Sequence, residues 1–384
     1  MKNIIIDLDF IKNQHYYLDE IKKTQPISPI GENQWLVTKY NDISNLLKDT
    51  RLSREIEDPT EISVQSLLDL DGQDHLRLKR ALMPYFTHSA IKNIEESIIK
   101  RINNTSLKIK NKDQKEIDII KEFCFPIPLF TICDLLGVII PEDEDYEHVR
   151  SKTLDIISVF NLTMDKYAYK KHLQSLEELS IYFINIIFSK KYKRKDGLLS
   201  YLENLYIDQR KISKDEIIVM VLLLFVAGFE TNTNSISNSI FSILQDPELI
   251  SQLDPNNNTI GDELIRHSTA INFVTRKVTE NFQFKNIQFK KNDMVFLHLG
   301  SANRDEEVFT NPHRLNFGRT NAKKHLAFSS GPHYCVGASL SQIQVQNSVV
   351  HFFKQFPNTK ITKQPIKNNN FAINTFLEIY ASCQ

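Results

Sequence analysis

From about Gln73 to Gln245, apolar residues recur at spacings of three and four, with breaks at Pro84, Pro126, Pro128 and Gly137. A period near 3.6 sustained over so much of the chain commits it to packed amphipathic helices and leaves sheet a minor share. Glycine is scarce, 10 in 384 residues, so each one inside a helical stretch needs a reason. Ser213 to Leu244 reads as one long buried helix, and its richest apolar run, Ile217 to Phe229, is too short to span a bilayer and ends at Glu230. Outside this region Trp35-Leu36-Val37-Thr38 reads as a strand and Tyr40 to Leu47 as a short helix. Phe282 to Leu299 turns strand-like, Ser301 to Asn321 is irregular and charged, and an apolar helix runs from beyond Cys335 to about Phe353. The expected fold is mainly α with a small β portion, in a single domain over 1–384, because no Gly/Ser or Pro linker divides the chain.

Hydrophobic residues make up 41% of the sequence, enough for a large core. Lys plus Arg and Asp plus Glu both total 47, so no global field points to nucleic acid or an acidic membrane. The four cysteines, Cys124, Cys133, Cys335 and Cys383, form no CxxC pair and read as reduced thiols. Met1 to Phe10 carries Asp7 and Asp9 and lacks the basic start of a secretory signal. A soluble, cytoplasmic, monomeric protein is the expectation.

Phe328-Ser329-Ser330-Gly331-Pro332-His333-Tyr334-Cys335-Val336-Gly337 sets one cysteine in a loop with flanking glycines and a histidine, just ahead of a helix. Such a thiolate can serve a haem iron, although a lone cysteine is more often a small buried hydrophobe. Ala227-Gly228-Phe229-Glu230-Thr231 places a glycine, an acid and a hydroxyl inside the long helix. Gly costs roughly 1 kcal/mol there against Ala. Thr231 can take the Ala227 carbonyl out of the helical ladder and open the helix; equally, Gly228 can serve close packing against a neighbour. Glu263 and Arg266, three apart, share a helix face and ordinarily form a solvated pair. His75 and Lys79, four apart, share another face, suited to gripping a carboxylate or simply to solvation.

These pieces, in this order, resemble the cytochrome P-450 superfamily, and specifically its soluble bacterial members. The resemblance extends to Trp35 to Ser53, to Phe125-Pro126-Ile127-Pro128 with Ile132 to Val138, and to Asn303-Arg304-Asp305 with Phe309, Pro312, Arg314, Phe317 and Arg319 ahead of the cysteine loop. It implies the cytochrome P-450 fold, with a long central helix over haem b (iron protoporphyrin IX) and Cys335 as the iron ligand. Phe328, Gly331 and Gly337 would shape the loop, with both glycines allowing its tight path. His75, Lys79, Arg276, His325 and His333 match positions around the haem propionates, and Ala227 and Gly228 the oxygen groove. Glu230 and Thr231 match the acid and alcohol that guide protons during dioxygen activation. Glu263, Arg266 and Arg314 match a buried charge network behind the loop. Phe229, Phe273, Val274 and Thr275 would lie near the substrate pocket, under lid helices from about Glu147 to Arg194.

The sequence departs from the family pattern at Ser329, where glycine is usual, at Lys79, where arginine is common, and at Leu315, where phenylalanine is frequent. None removes a group on which the chemistry depends. The implied activity is that of a haem-thiolate monooxygenase in secondary metabolism, hydroxylating or otherwise oxidising a small hydrophobic or aromatic molecule. Electrons would come from a separate ferredoxin or flavodoxin with its NAD(P)H-dependent reductase, docked near Lys323 and Lys324. The same chemistry also admits phenol or aryl coupling and desaturation. A peroxide-driven oxygenase and a non-catalytic haem sensor are alternatives that the acid-alcohol pair argues against.

Overall fold

The long helix begins at a reciprocal cap. Ser213 Oγ accepts the Glu216 N–H at 3.1 Å while the Glu216 carboxylate accepts the Ser213 N–H at 2.7 Å, which satisfies donors that a helix start leaves orphaned. From there the central helix runs unbroken over Lys214–Gln245. This computed structural model describes residues 3–55, 66–112, 114–140, 146–157, 166–189, 192–209 and 212–383. Among the described residues the central helix is the one helix long and apolar enough to cross a membrane, yet it packs against Pro126–Leu136 and Ala338–Gln355. It is the core around which the helical part assembles.

Of the two readings of Ala227–Thr231, the structure shows the helix running on without the opening. Thr231 Oγ1 does donate to the Ala227 carbonyl at 2.7 Å, and Asn232 and Thr233 make the same four-back bonds to Gly228 and Phe229 at 2.8 and 2.9 Å. A carbonyl oxygen has two lone pairs, so it can take the hydroxyl without leaving the ladder. Gly228 has a packing reason: a Cβ there would lie 2.9 Å from Ile132 Cδ1 on the Pro126–Leu136 helix. That neighbouring helix ends at Gly137, which holds φ +73° with its Cα pressed against the backbone of Gly197.

A five-stranded sheet lies beside the helices in the order Ile27–Gly31, Gln34–Val37, Met294–Leu297, Val274–Val278, Leu52–Ser53. Gln34–Val37 runs parallel to Met294–Leu297 with Gln34 opposite Met294, and the other pairings are antiparallel. Glu147–Ile157 and Lys166–Phe188, in the expected lid, pack on each other; residues 158–165 between them lie outside the described residues.

Two residues expected at the substrate pocket are core residues instead. Phe229 is buried between Phe125 and Phe225, with ring centroids at 5.6 and 5.3 Å. Phe273 is buried against Phe296 and Phe371 at 5.3 and 5.2 Å. Aromatic edge contacts of this kind spend the ring on packing. Val274 is half-buried at the start of the strand Val274–Val278 and packs against the apolar cluster of the sheet.

Glu263 and Arg266, on the helix Ile260–His267, are fully buried. Arg266 forks onto Glu263 at 2.7 and 2.8 Å and gives its other N–H groups to the carbonyls of Asn303, Pro312 and Arg314. The third member is Arg319, whose Nε reaches both Glu263 oxygens at 3.1 and 3.0 Å. Arg314, expected in that place, is exposed and contributes only its backbone carbonyl. Both guanidiniums also lie over the Phe309 ring, at 5.2 and 6.0 Å. Breaking a buried ionic set by removing one partner strands the remaining charge, at a cost of about 3–5 kcal/mol. Arg319→Ala should therefore lose that much stability in denaturant unfolding, whereas Arg314→Ala should stay within about 0.5 kcal/mol. Equal losses would place the network through Arg314 after all.

Candidate active site

The cysteine loop closes on itself. Cys335 N–H donates to the Phe328 carbonyl at 3.0 Å, Tyr334 N–H to Gly331 at 3.1 Å, and Ser329 N–H to Leu326 at 2.8 Å. Gly331 holds φ +74°, and a Cβ on it would meet the Leu47 carbonyl at 2.9 Å, so glycine is required there on both counts. Gly337 holds an ordinary φ of −85°, and its Cβ would meet nothing nearer than Phe86 at 3.8 Å; the tight path does not demand it. Ser329 stands at φ +63° with its hydroxyl buried and unpartnered, a conformation that costs an L-residue about 1 kcal/mol.

Cys335 is accessible at its surface, yet it sits in a recess where burial pushes the thiol above its ordinary range. The Gly337 N–H and the Lys79 charge pull the other way and favour the thiolate. Lys79, expected to grip an anion, instead donates to the carbonyls of Pro332 and Tyr334 at 2.6 and 3.1 Å. It braces the loop because these carbonyls lie within reach of its flexible stem.

Gly72–Leu82 carries His75 as well as Lys79. The His75 and His333 rings lie 4.4 Å apart, and His333 Nε2 meets Asp71 Oδ1 at 2.6 Å. Burial, with the His333 and Lys79 charges, lowers His75 to about 4, so its ring is neutral near pH 7. Burial raises the Asp71 carboxyl, but hydrogen bonds from His333, the Ser53 hydroxyl and the Arg54 N–H outweigh it and hold Asp71 well below the usual range. Arg276 is buried, lowered to about 10 by burial and by the Arg54 charge, and bonded to the Thr275 carbonyl. His325 has protein neighbours of its own: it accepts the Ala327 N–H, faces Asp262 at 3.6 Å and lies tilted against the Phe328 ring at 5.2 Å. With both ring nitrogens so occupied, it supports the loop from within.

On the central helix, Ala227 is exposed in mid-helix and Thr231 is half-buried, whereas Glu230 is buried and, among the described residues, has no well-formed hydrogen bond on either carboxyl oxygen, only the approach of the Asn234 side chain. Burial raises Glu230 to about 7, against a lowering pull from Arg150 and Asn234. An acid that titrates at neutral pH beside an accessible hydroxyl suits proton transfer.

The donor set fits an iron porphyrin. A recessed thiol with a backbone N–H near its sulfur suits an iron ligand, and the Arg276 charge beside the imidazoles of His75 and His333 suits the propionates. Arg54 was indicated by no motif, and Arg319, named in the segment ahead of the loop, was not assigned to the Glu263 network. Asp71 reads as a helix N-cap in sequence, but its side chain caps nothing and turns to His333 instead.

The family model for cytochrome P-450 matches residues 12–377. The chain is 27% identical over 368 residues to the biotin biosynthesis cytochrome P-450 of Bacillus subtilis, covering 92% of this chain and 91% of that protein. It is 30% identical over 351 residues to the polyketide biosynthesis cytochrome P-450 PksS of the same organism, covering 86% and 84%. The crystal structure of P-450 BioI in complex with an acyl carrier protein ligated to hexadec-9Z-enoic acid superposes with a TM-score of 0.87 at 25% identity, covering 98% of this chain and 99% of that one. PksS superposes with a TM-score of 0.84 at 26% identity, covering 98% of each chain. With the thiol loop, the buried Glu263 network and the central helix all in place, the chain belongs to the cytochrome P-450 family, haem-dependent oxidoreductases that incorporate molecular oxygen.

Proposed function

We propose that this chain is a cytoplasmic, single-domain haem-thiolate monooxygenase that oxidises a small, largely apolar molecule in a biosynthetic route. The observation that carries the reading is the Cys335 recess, where a clasped loop, the Gly337 N–H and the Lys79 ammonium converge on one accessible thiol. Cys335 would ligate the iron, and Arg276, His75 and His333 would hold the propionates. Bound haem supplies the oxygen-activating chemistry. The chain's own part is to orient the cofactor, exclude bulk water and manage protons.

Glu230 is the group suited to hold a proton. Its burial gives a carboxyl that is half protonated near pH 7, where a general acid works best. Thr231 follows it directly, and its hydroxyl is oriented by the bond to the Ala227 carbonyl.

Electrons are proposed to come from a separate ferredoxin or flavodoxin with its NAD(P)H-dependent reductase. Lys323 and Lys324 are exposed on the short helical turn Ala322–Lys324 that leads into the loop, and such a basic pair steers an acidic partner.

For ligation, the carbon monoxide complex of the reduced protein is expected to show the red-shifted Soret band of thiolate coordination, lost in Cys335→Ala. A histidine-type spectrum in the wild type would sink the reading. For the proton, the sign follows from the raised carboxyl. Its contribution to stability is whole below the ordinary value near 4.5 and is lost as pH rises through about 7, by roughly 3 kcal/mol in all. Glu230→Gln should flatten thermal stability across that window, remove the apparent pKa near 7 from turnover and slow it about 100-fold; an unaltered pH–rate profile counts against the role. For docking, Lys323→Glu with Lys324→Glu should raise the KM for an acidic ferredoxin about tenfold at low salt. Equal KM values for the two proteins would remove this surface from consideration.

A further inference from the structure

Thr275 lies in the strand Val274–Val278, and its carbonyl accepts from two guanidiniums, Arg54 Nη1 at 3.2 Å and Arg276 Nη1 at 2.8 Å. One shared oxygen therefore holds two like charges side by side. Arg54 places its other bonds on neutral groups, the Leu68 carbonyl at 2.9 Å and the Thr275 hydroxyl at 2.9 Å. Burial presses both guanidiniums below the usual arginine range, and each is still charged at neutral pH.

Among the described residues neither side chain bonds a carboxylate. Asp69 accepts the Ser66 hydroxyl. Asp71 is taken up by His333, the Ser53 hydroxyl and the Arg54 backbone N–H. The Asp69 and Asp71 charges support these cations from nearby, but paired, desolvated guanidiniums whose direct bonds are all to neutral acceptors still suit a directly bound anion. Arg54 Nη2 and Arg276 Nη2 bond none of the described residues, so each cation keeps N–H donors for a carboxylate, a charge-assisted bond.

We infer that Arg54 and Arg276 form a two-guanidinium clamp for a carboxylate, in which Arg54 is the binding residue that no motif indicated. Two sources share this chemistry: a propionate of the haem, or an acid group on the substrate, since Thr275 also stands where the pocket edge is expected. The inference rests on the haem-thiolate reading. The carbon monoxide spectrum of each variant tests that reading separately.

The experiment uses the haem-loaded protein and the variants Arg54→Met and Arg54→Lys, with Arg54→Gln as a second neutral variant should the methionine form fail to fold. One arm measures haem transfer to apomyoglobin, which a clamped propionate slows. The expected result is loss about tenfold faster in Arg54→Met and an intermediate rate in Arg54→Lys. The other arm titrates the spin state with hexadecanoic acid and with its methyl ester. A substrate clamp gives the wild type about a tenfold preference for the acid that Arg54→Met abolishes. A change in the first arm assigns the clamp to the propionate, and a change in the second assigns it to the substrate. Haem loss and acid preference both unchanged, with the thiolate spectrum intact, would overturn the clamp.

Discussion

Glu263 is a fully buried carboxylate, and the cysteine side of the molecule leans on its being fully paired. Arg266 and Arg319 supply forked donors, and the Asn316 N–H adds another at 2.9 Å. Arg266 then passes the constraint on through the Asn303 carbonyl at 2.7 Å. The Asn303 side chain accepts the Leu326 N–H at 2.6 Å and donates to Thr269 Oγ1 at 2.8 Å. Leu326 in turn accepts the Ser329 N–H that starts the loop. A chain of short, charge-assisted or buried bonds thus connects an ion pair to the thiol position. Such a network adds little net stability against an apolar core of equal shape. What it adds is geometry, since a ligand cysteine displaced by a fraction of an ångström is a poor ligand.

Two buried glutamates divide the labour by environment alone. Glu263 has a donor on each oxygen and serves as structure; Glu230, among the described residues, has no well-formed hydrogen bond, only the approach of Asn234, and burial pushes it to about 7. A poorly satisfied buried acid is expensive, so its place in the middle of the central helix is the kind of cost that the proposed proton-transfer role would explain. Ser329 is a smaller case, with a left-handed backbone and an orphaned hydroxyl at the entry to the loop.

The helical character, the central helix and the cysteine loop were legible because they rest on local periodicity and on motif order. The partners across space were not. Arg314 and Arg319 stand five apart in an aperiodic segment, and only the turn of that segment decides which one faces Glu263. Phe229 neighbours Glu230 in sequence, but one helical step of about 100° sends its ring to Phe125 and Phe225. Gly228 matched a motif, although its immediate reason is the side chain of Ile132. Arg54 carried no motif at all, since its meaning depends on a carbonyl that lies more than two hundred residues away in sequence.

The helix Gly72–Leu82 shows how correct spacing can still mislead about the acceptor. His75 and Lys79 do share a face, as residues four apart must. That face meets the loop itself, with His75 against His333 and Lys79 on the Pro332 and Tyr334 carbonyls. Arg77, two residues from each, points instead to Glu216 at 2.6 Å, in the capping box of the central helix. One short helix therefore ties the thiol loop to the start of the helix that carries Glu230 and Thr231. The lysine in place of the family's common arginine fits this duty, because a compact ammonium on a flexible stem can serve two backbone carbonyls that a planar fork would not match.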